Sequence, residues 1–269
     1  MKKIILYAFT LSVFAFGQVF AQSVAEQNLN SAIQSAENVK QEVTVARKAV
    51  NQLVKQLTVL NNPNAPLFES KMNYHVNAVL NNSDDIQYFV GLAQSNSVVP
   101  FSSTSITNNA NELVNQNDII MALTAQMTAA INANNTSLAV SLVQPIRSAL
   151  TKQFNKSNSI ISEIETIKIA IRRYNVCLYL VDSQGNTAID GGFGAQNTST
   201  GEIFYPGYPN AQDYGYGNCF VNLPAGTYQF FSFPSQGSLC GTGSQTVTLS
   251  PSLVNSNGIV EITMVTWCE

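Results

Sequence analysis

The chain has 269 residues, enough for one large domain or two ordinary ones, with 11% charged residues and a net charge of −3. Asn, Gln, Ser and Thr carry most of its polarity. Nucleic-acid binding needs Lys and Arg to neutralise phosphates, and this balance offers no such footprint; it also disfavours attraction to anionic lipid.

The first residues read as a secretory signal. Lys2 and Lys3 form a positive start, Ile4 to Phe16 is an almost unbroken apolar run that ends at Gly17, and Val19-Phe20-Ala21 predicts cleavage after Ala21. The run is shorter than the ~20 apolar residues of a spanning helix. No Cys follows it, so lipid anchoring is not expected. Taking away Lys2 and Lys3 leaves 11 basic against 16 acidic residues, a net charge of −5. The expectation is export, to the outside of the cell or its outer surface.

After residues 1–21 the pattern predicts two domains, a helical one over 22–173 and a β domain over 174–269. In the first helix Leu29, Ala32, Ala36, Val39, Val43, Ala46, Val50, Leu53, Leu57 and Leu60 step by threes and fours, a coiled-coil-like stripe. Asn61-Asn62-Pro63-Asn64-Ala65-Pro66 ends it. A second helix is expected from Leu67 to Ala93, with a weak point at Asn81-Asn82-Ser83-Asp84-Asp85, and then a loop over Ser95 to Ser105 around Pro100. The third carries Leu113, Ile120, Leu123, Met127 and Ile131 on one face. The fourth follows Asn134-Asn135 and carries Val143, Ile146, Leu150, Phe154, Ile161, Ile164, Ile167 and Ile171, with Pro145 as a kink or as its true start. Short loops between long helices predict an antiparallel bundle. Its seam also offers a surface for homo-oligomer formation.

Beyond Tyr174 the periodicity changes. Val176 to Val181, Phe220 to Leu223, Thr227 to Phe233, Gln245 to Leu249 and Ile259 to Trp267 read as short strands between Gly, Pro, Asn and Ser clusters. Their spacing predicts a small antiparallel β-sandwich, so the fold class is α+β with two domains. No Lys or Arg occurs from Tyr174 onward while six acids do, which makes this part net −6.

Cys177, Cys219, Cys240 and Cys268 all fall in this last third. In an exported chain an even count reads as two disulfides, with three pairings open. Cys177–Cys268 with Cys219–Cys240 is the favoured set, the first joining the opening and closing strands and the second closing a hairpin. No metal site is expected, since the spacing is wrong for zinc and no His stands nearby.

Two segments carry a resemblance. Val181-Asp182-Ser183-Gln184-Gly185-Asn186-Thr187-Ala188-Ile189-Asp190-Gly191 resembles the opening hairpin of prealbumin-like sandwiches, including the carboxypeptidase regulatory-like and Cna B-type domains. Gly217-Asn218-Cys219-Phe220-Val221-Asn222-Leu223-Pro224-Ala225-Gly226-Thr227-Tyr228 resembles their F-x-x-L-P-x-G-x-Y strand, turn and strand. The resemblance covers about a third of the chain. It implies a stalk, spacer, adhesion or accessory module rather than a chemistry. Many Cna B-type domains hold a Lys–Asn isopeptide bond, and this domain has no Lys to form one.

Catalytic motifs are sparse. His75 is the single His, and no G-x-S-x-G elbow accompanies it. Asp84 with Asp85, and Glu163 with Glu165, sit at spacings that point to different helix faces. Asp182 to Asn186 with Asp190 lacks the ligand alternation of a calcium loop and reads as a hairpin turn. Gly191-Gly192-Phe193-Gly194 and Gly241-Thr242-Gly243-Ser244 lack a phosphate-loop context. No cofactor is expected. Phe204-Tyr205-Pro206-Gly207-Tyr208-Pro209-Asn210-Ala211-Gln212-Asp213-Tyr214-Gly215-Tyr216 is the most suggestive stretch, because exposed Tyr beside Asn, Gln and Asp suits amphipathic contact and stacking on sugars.

The sequence therefore predicts an exported, non-catalytic interaction or adhesion protein. A helical stalk would present a sandwich to a glycan or protein partner through Tyr205, Tyr208, Asp213, Tyr214 and Tyr216. The alternative expectation is a membrane-active protein of the helical pore-forming kind, in which Ile119 to Ile131 leaves the bundle and contacts a membrane.

Overall fold

A computed structural model describes residues 2–188, 192–206, 217–233 and 240–267, with side chains from residue 24 onward. The chain divides into two compact units, residues 1–168 and 169–269.

The first unit contains helices α1 (Lys2–Lys55), α2 (Ala65–Asn96), α3 (Thr104–Asn132) and α4 (Thr136–Ser141), and most of α5 (Val143–Ile171). A π-turn, Gln56–Leu60, closes α1, and Asn61 follows in the left-handed region with φ 51°. The wider turn carries Leu60 off the seam, so this last residue of the sequence stripe is exposed while Leu57 is buried. Asn64 caps α2 by accepting the Leu67 N–H at 3.0 Å.

Each long helix buries a seven-residue repeat. In α1 it runs Ala25, Leu29, Ala32, Ala36, Val39, Val43, Ala46, Val50, Leu53, Leu57. In α5 it runs Ile146, Leu150, Gln153, Ser157, Ile160, Ile164, Ile167, Ile171, so Ile160 and not Ile161 holds the seam position. Hydrogen bonds between helices fix their directions. Asn38 bonds Asn82 while Gln52 accepts from Lys71, so α1 and α2 run oppositely. Ser83 with Ala110 and Val76 with Asn117 do the same for α2 and α3. Asn117 with Gln153 and Asn109 with Lys156 do so for α3 and α5. The helical unit is an antiparallel bundle.

Two expectations need correction. α2 continues through Asn81 to Asp85, because Ser83 is fully buried and donates its hydroxyl to the Ala110 carbonyl at 2.9 Å, and Asn82 reaches α1. These polar residues are interhelical contacts and not a break. The fourth helix does not run unbroken from Asn134-Asn135: α4 is a separate short helix, and Pro145 lies in the first turn of α5 and marks its start. Proline has no N–H to give the Ser141 carbonyl, which is where α4 stops.

Among the described residues the second unit has seven strands: β1 (Arg173–Val181), β2 (Gly192–Asn197), β3 (Ile203–Phe204), β4 (Cys219–Pro224), β5 (Thr227–Phe233), β6 (Ser244–Thr248) and β7 (Ile259–Val265). One sheet has the order β4-β1-β7 and the other β3-β2-β5-β6. Side chains from both sheets meet in one buried cluster that includes Val176, Leu178, Phe193, Phe220, Tyr228, Phe230, Val260 and Ile262. The expected all-antiparallel pairing does not hold: β7 runs parallel to β1, from Asn175 opposite Ile259 to Val181 opposite Val265. Period-two alternation gives the buried face of a strand but not its direction, and only hairpin neighbours have direction set locally.

β2 escaped the sequence pattern because two of its residues are glycines. Gly194 lies opposite Phe231 of β5, and a Cβ on it would fall 2.4 Å from Phe231 Cζ. The ring occupies the space a side chain would need. Glycine is required here for close approach, not for an unusual dihedral.

Both favoured disulfide pairings are overturned by a bond between Cys177 and Cys219. These residues are direct cross-strand partners on β1 and β4, with Cα atoms 4.0 Å apart. Cys177 stands level with Glu261 of β7, whereas the C-terminal end of β7 lies beside Val181 at the far end of β1. Cys240 is also disulfide-bonded. Cys268 lies outside the described residues.

Peptic mapping of the non-reduced protein should return Cys177 linked to Cys219; trypsin has no site after Arg173 with which to separate them. Recovery of Cys177 joined to another cysteine would contradict this fold. Gly194→Ala should lower stability by about 1–3 kcal/mol through overpacking, read as a fall in the urea midpoint, and an unchanged midpoint would contradict the ring placement.

Candidate functional site

The turn after β1 consumes its acid. Asp182 Oδ1 accepts the Gln184 and Asn186 N–H groups at 2.8 and 2.9 Å, and Oδ2 accepts the Asn186 amide at 3.0 Å. The Asn186 side chain above all, then the backbone N–H groups, holds this carboxyl below the usual carboxylate range. Gly185, at φ 88°, completes a hairpin turn. Among the described residues no three His, Cys, Asp or Glu side chains gather as metal ligands.

His75 is buried inside the bundle at a seam position of α2. Its partners form a directed chain. The carbonyls of Val76 and Leu113 can only accept, so the Asn117 amide nitrogen faces Val76 at 2.9 Å and the Gln153 amide nitrogen faces Leu113 at 3.2 Å. The Gln153 nitrogen also donates to Asn117 Oδ1 at 2.8 Å. Gln153 Oε1 is thereby left to accept from His75 Nε2, at 3.0 Å. The imidazole therefore carries its proton on Nε2. Nδ1 is buried without a hydrogen-bond partner. Burial lowers the His75 pKa below its ordinary value, against smaller opposing effects of Gln153 and Glu42. Three helices share this polar layer, and every member of it except Nδ1 is spent on structure. Asp84 and Asp85 are exposed on α2, and Glu163 and Glu165 are offset along α5.

The aromatic stretch is anchored at its start. Phe204 is buried edge-on against Tyr228, with ring centres 5.9 Å apart. Tyr205 stacks on Phe233 at 6.2 Å and 25° between planes, and Phe233 meets Phe231 edge-on at 5.3 Å. Tyr208, Asp213, Tyr214 and Tyr216 lie outside the described residues. Phe231 and Phe233 were missed as site residues because a strand of alternating aromatics reads as core. On β5 the inward set is Tyr228, Phe230 and Ser232, all buried, so Phe231 and Phe233 belong to the outer face. There they sit opposite Gly194 and Gly192, which offer no side chains beside them. Gln196 and Gln229 are paired in the same register on that face, and Thr246 stands opposite Gln229. The result is a row of aromatic rings leading into amide and hydroxyl side chains.

The F-x-x-L-P-x-G-x-Y segment spans the end of β4 and the start of β5, and so passes from one sheet to the other. Tyr228 is fully buried and its hydroxyl donates to the Pro224 carbonyl at 3.0 Å. Burial raises its pKa, which keeps the phenol a donor. In α3, Ile120, Met127 and Ile131 are buried in the bundle while Ile119 and Met121 are exposed. Among the described residues no helix is long and apolar enough to cross a membrane. No family model, curated protein or solved structure matches the chain.

The buried His75 gives the bundle a signed pH dependence. Its folded pKa lies below 6.5, so its contribution to stability is complete above that value and is lost as pH falls through 6.5 toward the folded pKa. Urea unfolding of the wild type should weaken over this window, while His75→Gln, which keeps a donor toward Gln153 and cannot ionise, should show a flatter curve. Parallel curves for the two proteins would contradict the assignment.

Proposed function

We propose that this is an exported, non-catalytic interaction protein whose β unit binds a glycan. The observation that carries the reading is the aromatic row of Tyr205, Phe233 and Phe231 on the outer face of the β3-β2-β5-β6 sheet. Phe233 keeps 40% of its surface exposed although it is large and apolar. Sugar rings present C–H faces to aromatic planes and hydroxyls to amides, and Gln196, Gln229 and Thr246 continue the same face. Tyr208, Asp213, Tyr214 and Tyr216 follow Tyr205 in sequence and extend the contact in this proposal.

The same reading takes the two sheets as a sandwich of the prealbumin-like kind. Their shared core and the sheet-to-sheet passage of the Pro224–Tyr228 corner support it. Export is supported by the signal-like residues 1–21 and by the Cys177–Cys219 bond, which persists in oxidising compartments. The absence of catalysis is supported by the structural use of Asp182 and His75. The bundle serves as the stalk.

A glycan array probed with the chain from Gln22 onward should give binding that Tyr205→Ala and Phe233→Ala each weaken by about tenfold, the scale of one lost stacking contact. Equal binding by both folded variants would overturn the proposal. Capture of a protein but no glycan would move it to a protein partner.

A further inference from the structure

We infer that the cleft between α1 and α5, where Arg47 and Arg147 converge, binds an oxyanion of the phosphate or sulfate class. The two helices exchange arginines. Arg47 of α1 donates from Nη2 to Thr151 Oγ at 2.9 Å, and Arg147 of α5 donates from Nη2 to Asn51 Oδ1 at 2.6 Å. On each helix the arginine and the acceptor are four residues apart, so both pairs occupy the facing surface. The Thr151 hydroxyl gives its proton to the Arg147 carbonyl at 2.8 Å, which leaves its lone pairs to receive Arg47. The Arg47 guanidinium also lies over the Phe154 ring, 5.4 Å from its centre. These four polar side chains line a cavity of 340 Å³.

Nothing anionic answers the charge. Neither guanidinium is paired with a carboxylate among the described residues. No Asp or Glu occurs between Glu42 and Glu69, a stretch that holds Arg47, Lys48 and Lys55. None occurs between Asp118 and Glu163 either, a stretch that holds Arg147, Lys152 and Lys156. A chain with 16 acids has left both segments free of them. Two like charges held together without a counterion repel, and each keeps four of its five N–H donors beyond the one spent on its neutral partner. A planar fork matches two oxygens of a tetrahedral anion, which a lysine pair would not do.

The test is calorimetric titration of the chain from Gln22 onward with inorganic phosphate, inorganic sulfate and methyl phosphate at low ionic strength, with chloride as control. Phosphate or sulfate should bind, Arg47→Ala and Arg147→Ala should each weaken binding about tenfold, and the double variant should abolish it. Arg47→Lys keeps the charge and loses the fork, so it should fall between wild type and Arg47→Ala. Tighter binding of methyl phosphate than of phosphate would identify an ester as the source, and equal binding the free ion. No binding by the wild type at concentrations on the order of 10 mM, or undiminished binding by the folded double variant, overturns the inference. Should the double variant fail to fold, the arginine Nε–H signals of the wild type decide: phosphate must move those of Arg47 and Arg147, and unmoved signals overturn it.

Discussion

The seven-residue seam of the bundle is the constraint from which the rest of the helical unit follows. A seam of small and branched apolar residues alone tolerates a slip of one turn, because each layer resembles the next. The layer of His75, Asn117 and Gln153 does not, since its hydrogen bonds close only when α2, α3 and α5 stand at one relative height. A slip would leave the imidazole and both side-chain amides buried without their partners, each unpaired group costing about 1–3 kcal/mol. Such layers select one register at some cost in stability, and the unpartnered Nδ1 of His75 is part of that cost here. Setting the height of α5 also brings Thr151 level with Arg47 and Arg147 level with Asn51.

In the β unit a cross-strand bond takes the corresponding role. Cys177–Cys219 ties the first strand to its neighbour across a separation of 42 residues, which by chain entropy is worth about 3–4 kcal/mol. The bond lies on the outer side of its sheet, so the inner side of β1 remains free for Val176, Leu178 and Leu180 to enter the common core. β4 then leads through Pro224 to Gly226 and into β5, and the buried Tyr228 returns its hydroxyl to the corner it has just left. That closure settles which residues of β5 face inward. The outward placement of Phe231 and Phe233 is a consequence of it.

How much of this was legible depended on whether a pattern is local. The stripe of α1, the end of that helix before Pro63 and the turn at Asp182 to Asn186 were readable because each is decided within a few residues. The seams of α2, α3 and α5 were blurred by their own polar members: Ser83 looked like a weak point, and Gln153 and Ser157 shifted the apparent stripe to Ile161. β2 was lost because Gly192 and Gly194 carry no alternation, their pairing with aromatic residues of β5 being 37 or more positions away. The parallel β1–β7 pairing and the Cys177–Cys219 bond are decided by topology, on which cysteine spacing is silent. The two arginines were visible, yet a hundred residues separate them and only the bundle makes them neighbours.

The charge distribution sorts what each unit can hold. The β unit, residues 169–269, carries six acids against Arg172 and Arg173, so a sulfated or phosphorylated sugar approaching the aromatic row meets net repulsion. The amides and hydroxyls of Gln196, Gln229 and Thr246 suit neutral sugars instead. The oxyanion site lies on two segments stripped of acids and bearing six cations. The ligands of the two sites therefore differ in charge. Salt then separates them: added salt screens the arginine pair and weakens its ligand, whereas stacking of a neutral sugar on Phe233 is indifferent to it.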